Sequence, residues 1–148
     1  MSTTYYVHSG SGNDLNPGTS QGSPKKTIGN ALLSATSDGD IVEIIDENTY
    51  AESQLLVKAN NVTLTHTASE LGQPVIDASG LGNTQPISLK SGGTRTGFTL
   101  NGIEVKGSGG DSQELYFMNN NSSNGVGLTI TECFIYQVTA VADQFLQA

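Results

Sequence analysis

The 148-residue chain is long enough for one domain and carries 14 acidic against six basic residues, a net charge of −8 at pH 7. Hydrophobic residues make up 35% of the sequence and charged residues 14%, so Gly, Ser, Thr and Asn supply most of its polarity. This balance excludes a basic nucleic-acid surface and disfavours binding to anionic lipid. No apolar stretch approaches the ~20 residues of a membrane span.

The amino terminus and the single cysteine bear on compartment and redox chemistry. The first residues have no positively charged and no apolar signal region, so we expect synthesis and first folding in the cytoplasm without a signal peptide. Cys133 lies in an apolar run, which favours a buried, inert thiol over a nucleophile. His8 and His66 have no metal-ligand pattern around them.

Residues 5–44 predict a short strand, a loop rich in Gly, Ser, Asn and Pro, one helix and a second strand. The apolar residues of the helical segment recur at the spacing of one helical face: Ile28, Ala31, Leu32 and Ala35. Thr27 is the predicted N-cap. Gly39 is the predicted turn residue after the helix.

From Ile41 onward the pattern changes to short apolar runs separated by turn sequences, which predicts an all-β architecture. The predicted strands are 41–45, 55–57, 62–65, 75–77, 87–89, 98–100, 103–105, 115–118, 128–130 and 133–138. A sandwich or a barrel is compatible with these spacings alone.

An internal repeat favours a solenoid instead. The stretch at 97–107 aligns without gaps with the stretch at 127–137, placing Leu100 on Ile130 and Val105 on Ile135. Several short strands in each repeat are typical of stacked coils that bury their inward side chains against one another.

The N-terminal motifs carry a family resemblance. "YYV" at 5–7, "GNDLNPGT" at 12–19, "PKKTI" at 24–28, "GDIV" at 39–42, "TYAE" at 49–52 and "PVIDASG" at 74–80 resemble the first coils of right-handed parallel β-helix proteins of the pectate-lyase-like superfamily. The chain departs from the family pattern at Lys25, where a large apolar residue is usual, and at Asn48, where Gly is common. The resemblance covers residues 3–80 well and the later coils only by pattern.

The resemblance implies an all-β, right-handed parallel β-helix with an N-terminal capping α-helix. We expect residues 1–40 to form the first strand, the loop and the capping helix, 41–137 the coils, and 138–148 a tail or second cap. The helix would cover strand edges and an apolar cross-section that otherwise invite aggregation.

The sequence contains no acidic cluster of the kind a polysaccharide lyase or hydrolase needs, so we predict no catalytic residues. Asp77 and Glu104 are the carboxylates that one coil could stack as a pair. Asp38 and Asp40 form a weak Ca²⁺ candidate within a turn; no other cofactor is expected. The candidate polysaccharide-binding residues are Tyr116, Asn119, Asn120, Asn121 and Asn124.

Three functions remain open at this point. The favoured one is a non-enzymatic structural protein of a larger particle such as a phage virion, as capsid decoration, cement or tail protein, because phage particles use such solenoids. Its partners would be other proteins or further copies of the chain. The alternatives are the N-terminal part of a polysaccharide lyase or hydrolase, and a carbohydrate-binding β-helix module. Fold resemblance does not decide among them.

Overall fold

The computed structural model describes residues 1–67, 72–82, 84, 86–89, 95–107 and 127–137. These residues form one short helix and eleven strands, so the described chain is mostly β. The elements are β1 (Thr4–Val7), α1 (Ile28–Ser34), β2 (Ile41–Ile44), β3 (Thr49–Tyr50), β4 (Leu55–Leu56), β5 (Thr63–His66), β6 (Val75–Asp77), β7 (Ile87–Ser88), β8 (Thr99–Asn101), β9 (Glu104–Gly107), β10 (Thr129–Thr131) and β11 (Phe134–Gln137).

The strands pair into three sheets, and every pairing among the described strands is parallel. One sheet has the order β1-β2-β5-β8-β10, the second β3-β6-β9-β11, and the third β4-β7. We call each set of strands at one level a rung: β2 with β3 and β4, β5 with β6 and β7, β8 with β9, and β10 with β11. Each rung therefore lies on the one before it in the chain.

The core is formed by inward side chains that stack from rung to rung. Val42 pairs with Leu64, Leu64 with Leu100, and Leu100 with Ile130. The first three are fully buried, and Ile130 is half-buried against them. Their neighbours along each strand point outward, as the two-residue period of a strand requires. Burying each such side chain contributes about 1.5–3 kcal/mol.

Helix α1 packs on the edge strands β1 and β4 and on β2. Its buried residues Ile28, Ala31 and Leu32 are those that the helical spacing predicted. The predicted N-cap is confirmed, because the Thr27 side chain accepts a hydrogen bond from the Asn30 amide. Gly39 has φ +80°, in agreement with its predicted place in the turn.

Two carboxylates hold the first turn of α1. Asp14 Oδ1 accepts from the Lys26 and Thr27 amides, each at 2.9 Å. The two oxygens of Glu52 accept from the amides of Ile28 and Gly29, each at 2.7 Å. These amides lack helical partners, so the carboxylates satisfy donors that would otherwise be unpaired. Burial raises the pKa of Glu52, and the two amide bonds oppose that effect.

The register confirms the internal repeat, because Leu100 pairs with Ile130 and Val105 with Ile135. Strands were predicted at or close to the positions of β1, β2 and β4–β11. The two-residue strand β3 was not predicted, since it contains no apolar run. The predicted strand at 115–118 and the tail at 138–148 lie outside the described residues.

The corner between β8 and β9 requires a glycine at position 102. Gly102 has φ +67°, and a Cβ atom there would lie 2.5 Å from the carbonyl oxygen of His66 on the preceding rung. In the next rung Glu132 takes the corresponding position with φ +53°. The dihedral alone therefore tolerates a side chain, and the close approach of the His66 backbone is what demands glycine at 102.

We expect Gly102→Ala to lower the free energy of unfolding by about 2 kcal/mol, the sum of a left-handed backbone cost and a displaced rung. Urea unfolding followed by circular dichroism measures the change. Gly22→Ala is the matched control, because no atom lies within 4 Å of a Cβ at that position. Equal stability of the two variants would show that the rungs adjust freely at this corner.

Candidate functional site

The outer face of the second sheet gathers charged and aromatic side chains from three rungs. Parallel register places Phe134 beside Glu104, Tyr136 beside Lys106, and Lys106 beside Asp77. We call these five residues the aromatic–carboxylate patch. All lie on outward positions of β6, β9 and β11, so the alternation that fills the core also exposes them together.

Hydrogen bonds and one ion pair order the polar half of the patch. Lys106 Nζ lies 2.9 Å from Asp77 Oδ2, and the Ser79 amide donates to Asp77 Oδ1 at 2.9 Å. Bonds from Ser79 and Lys106 hold the pKa of Asp77 at about 2, so this carboxylate is ionised at neutral pH. The Tyr136 hydroxyl donates to Glu104 Oε1, and this bond raises the pKa of Tyr136.

The aromatic half of the patch is exposed. The Phe134 side chain is 70% exposed and Tyr136 is 37% exposed, although both stand on a sheet whose inner face is apolar. An exposed ring beside carboxylate side chains can stack on an apolar ligand face while the carboxylate oxygens accept hydrogen bonds from ligand hydroxyls.

Asp77 and Glu104, the carboxylates that one coil could stack as a pair, lie on the neighbouring strands β6 and β9 but are not register partners. Glu104 pairs with Val75, whereas Asp77 lies further along β6 and pairs with Lys106. The alignment of Glu104 with Phe134 is confirmed. The same alignment places Lys106 on Tyr136. The repeat therefore indicates two neighbouring pairs of the patch, although the sequence analysis did not predict a site there.

The two Ca²⁺ candidates, Asp38 and Asp40, accept hydrogen bonds from N–H groups of the protein. Asp40 is buried, and its two oxygens accept from the Thr3 amide at 2.8 Å and the Ser37 amide at 2.9 Å. Asp38 Oδ1 accepts from the Asn61 side-chain amide at 2.7 Å. Within the described ranges no group of three or more His, Cys, Asp or Glu side chains is arranged to hold a metal ion.

The other candidates lie where the structure gives no description, apart from the cysteine. The proposed polysaccharide-binding residues Tyr116, Asn119, Asn120, Asn121 and Asn124 fall within 108–126, outside the described residues. Cys133 is half-buried, its thiol lies 3.1 Å from the Thr131 carbonyl oxygen, and burial raises its pKa. That environment is unfavourable for a nucleophilic thiolate.

An open cleft of about 390 Å³ lies beside the start of α1. Thr27, Asn30, Leu33 and Glu52 are among its lining residues. Both oxygens of the Glu52 carboxylate already accept hydrogen bonds from helix amides, so the acidic residue in this cleft is engaged in holding α1.

Comparison with known proteins found no match to a protein-family model and no significant match to a curated protein. Separately, no helix in the described part of the chain has the length and apolar character needed to cross a membrane.

The ion pair in the patch predicts a specific pH dependence. The pKa of Asp77 is lower in the folded chain than its ordinary value of 3.8, so its contribution to stability is present above that value and is lost as the pH falls towards 2. In Lys106→Met the pKa of Asp77 should rise, because the cation and its hydrogen bond are gone. A carbon-13 NMR titration of the Asp77 carboxyl measures this shift.

Lys58→Met serves as the control for loss of a lysine charge elsewhere in the chain. An Asp77 titration curve that is unchanged in Lys106→Met would show that Ser79 alone sets this pKa.

Proposed function

We propose that this chain is a right-handed parallel β-helix of the pectate-lyase-like superfamily, with α1 as its N-terminal cap. Two features support the proposal. Asp14 and Glu52, which belong to the motifs that carry the resemblance, both hold the first turn of α1. Within each of the three parallel sheets, a strand also pairs with a strand of the preceding rung, which is the pairing order that a solenoid requires.

In this proposal the function is structural and non-enzymatic: the chain is a component of a larger particle such as a phage virion, and it assembles with further copies of itself. The observation that carries the proposal is the difference between the two ends of the stack. Helix α1 covers the edge strands at one end. At the other end β10 and β11 are the outermost of the described strands, and their rung contributes half-buried apolar residues: Leu128, Ile130, Cys133 and Ile135.

The acidic residues support the same function. Asp14, Asp40 and Glu52 each accept backbone amide hydrogens and so connect distant segments of the chain. Carboxylates used in this way stabilise the fold.

Light scattering of the purified chain tests the proposal, and we expect a discrete oligomer. Ile130→Asp, which places a charge on the inward face of the last described rung, should shift the mass towards the monomer. Thr129→Asp is the matched control, because Thr129 is exposed on the opposite face of the same strand. Circular dichroism establishes that both variants remain folded. A wild-type chain that stays monomeric over a wide concentration range would contradict self-assembly.

Polysaccharide binding is a second candidate function, favoured by the exposure of Phe134 beside Glu104 and the Asp77–Lys106 pair. A pyranose ring offers an apolar C–H face to an aromatic ring and hydroxyls to carboxylates. The aromatic–carboxylate patch matches both parts of such a ligand.

We expect affinity electrophoresis in gels containing neutral polysaccharides to retard the chain. Phe134→Ala should weaken that binding by about fivefold, since one stacked ring contributes on the order of 1 kcal/mol. Leu15→Ala is the control, because Leu15 is 92% exposed in the N-terminal loop and is not one of the five patch residues. Equal retardation of both variants would place the binding elsewhere, and absence of retardation in the wild type would remove this candidate.

A further inference from the structure

The imidazole of His8, directly after β1, faces three groups that compete for one nitrogen atom. The Gly10 amide lies 3.1 Å from His8 Nδ1 and the Ser11 amide 3.2 Å from it, both oriented as donors. Asp46 Oδ2 also lies 3.1 Å from Nδ1. Parallel pairing of Val7 with Ile44 brings the residues after β1 and β2 together, although these two segments are far apart along the chain.

No protonation state of His8 satisfies all three contacts. A neutral ring with a bare Nδ1 accepts from the two amides, but then a lone pair faces the carboxylate. A protonated ring carries hydrogen on Nδ1 and donates to Asp46, but then it cannot accept from either amide. The two arrangements exclude each other, and they differ by one proton.

The other charged and titratable groups around His8 keep their charge states. Burial raises the pKa of Asp46, but bonds from Tyr50, Ser9 and Asn48 outweigh burial and lower the pKa overall, so Asp46 stays ionised. Burial and Asp46 together raise the pKa of Tyr50, which stays neutral.

Lys25, whose carbonyl oxygen accepts from the His8 amide, directs its ammonium away. Its Nζ lies 2.8 Å from the Asn16 carbonyl oxygen and 3.3 Å from that of Asp14. Histidine is the residue type that changes charge between about pH 5 and 8. The protonation state of His8 therefore decides which of the contacts at this point form.

We propose that His8 is a proton-operated switch for the tip of the N-terminal loop. The neutral ring holds the Gly10 and Ser11 amides and fixes the tip. When the ring is protonated, Nδ1 carries a hydrogen and donates it to Asp46. Nδ1 can then no longer accept from the Gly10 and Ser11 amides, and both lose this hydrogen bond. The bonds from the Gly12 amide to the His8 carbonyl oxygen and from the Asn13 amide to that of Pro24 involve no titrating atom, so the change stops at Gly12.

NMR of the full chain tests the switch, with His66 as an internal reference. His66 Nδ1 lies 2.8 Å from the Ile44 carbonyl oxygen, so neutral His66 carries its hydrogen on Nδ1. Neutral His8 should carry its hydrogen on Nε2, the opposite tautomer. Long-range proton–nitrogen correlation distinguishes the two forms at high pH.

On acidification we expect the Gly10 and Ser11 amide shifts to follow the same titration curve as the His8 ring, with loss of their exchange protection. Gly12 and Asn13 should keep theirs. In His8→Gln, whose side-chain oxygen accepts but does not titrate, the Gly10 and Ser11 signals should become independent of pH over this range.

Two results would overturn the proposal. One is a neutral His8 that already carries hydrogen on Nδ1, because it would then donate to Asp46 at every pH. The other is a pair of Gly10 and Ser11 signals that do not follow the His8 curve. Unchanged His66 signals in His8→Gln show that the variant is folded, so either result is decisive.

Discussion

The structure depends on parallel, in-register pairing between very short strands. No such strand is stable alone, because its few inward side chains cannot offset the entropy of ordering it. Stacking places Leu64 between Val42 and Leu100, so this inward residue is covered from both sides. The same register determines which outward residues meet. Core and surface are therefore fixed by one constraint, and a one-residue slip would exchange them.

In the described part of the chain, the edge strands β1 and β4 have no neighbouring strand on one side, and later rungs pair only on the other side. Helix α1 packs against both, although it is too short to be stable in water as an isolated helix. Its stability comes from the apolar face packed on β1, β2 and β4 and from the carboxylates of Asp14 and Glu52. One of those acids precedes the helix in the chain and the other follows it, so the cap joins the N-terminal loop to the corner after β3.

Much of the architecture was predictable from local pattern. Apolar runs predicted the strands, helical spacing predicted α1, and the internal repeat predicted the register of the last two rungs. Contacts between distant segments were not predictable in this way. His8 meets Asp46 only because β1 pairs with β2, and no local signal at either residue indicates it. At Lys25, where a large apolar residue was expected, a buried lysine is accommodated because backbone carbonyls bind its ammonium.

The candidate surface was predictable only in part, for the same reason. The repeat alignment places Phe134 on Glu104, but the partner of Asp77 depends on a register between β6 and β9 that the sequence does not mark. Turn signals indicated Asp38 and Asp40 as candidate ion ligands. Their contacts with Asn61 and Thr3 arise from segments that approach only in the folded chain.

The pairing order has a consequence for how the chain folds as it leaves the ribosome. Ile41 pairs with Thr63, Thr63 with Thr99, and Thr99 with Thr129, so the connections between successive rungs differ in length. Each pairing reaches only to the preceding rung, and every new segment therefore finds its template already synthesised. The unequal connections cost little, since doubling a loop adds only about 0.6 kcal/mol. Co-translational folding can thus advance in one direction along the stack, with α1 packed on β1, β2 and β4 before the later strands are synthesised.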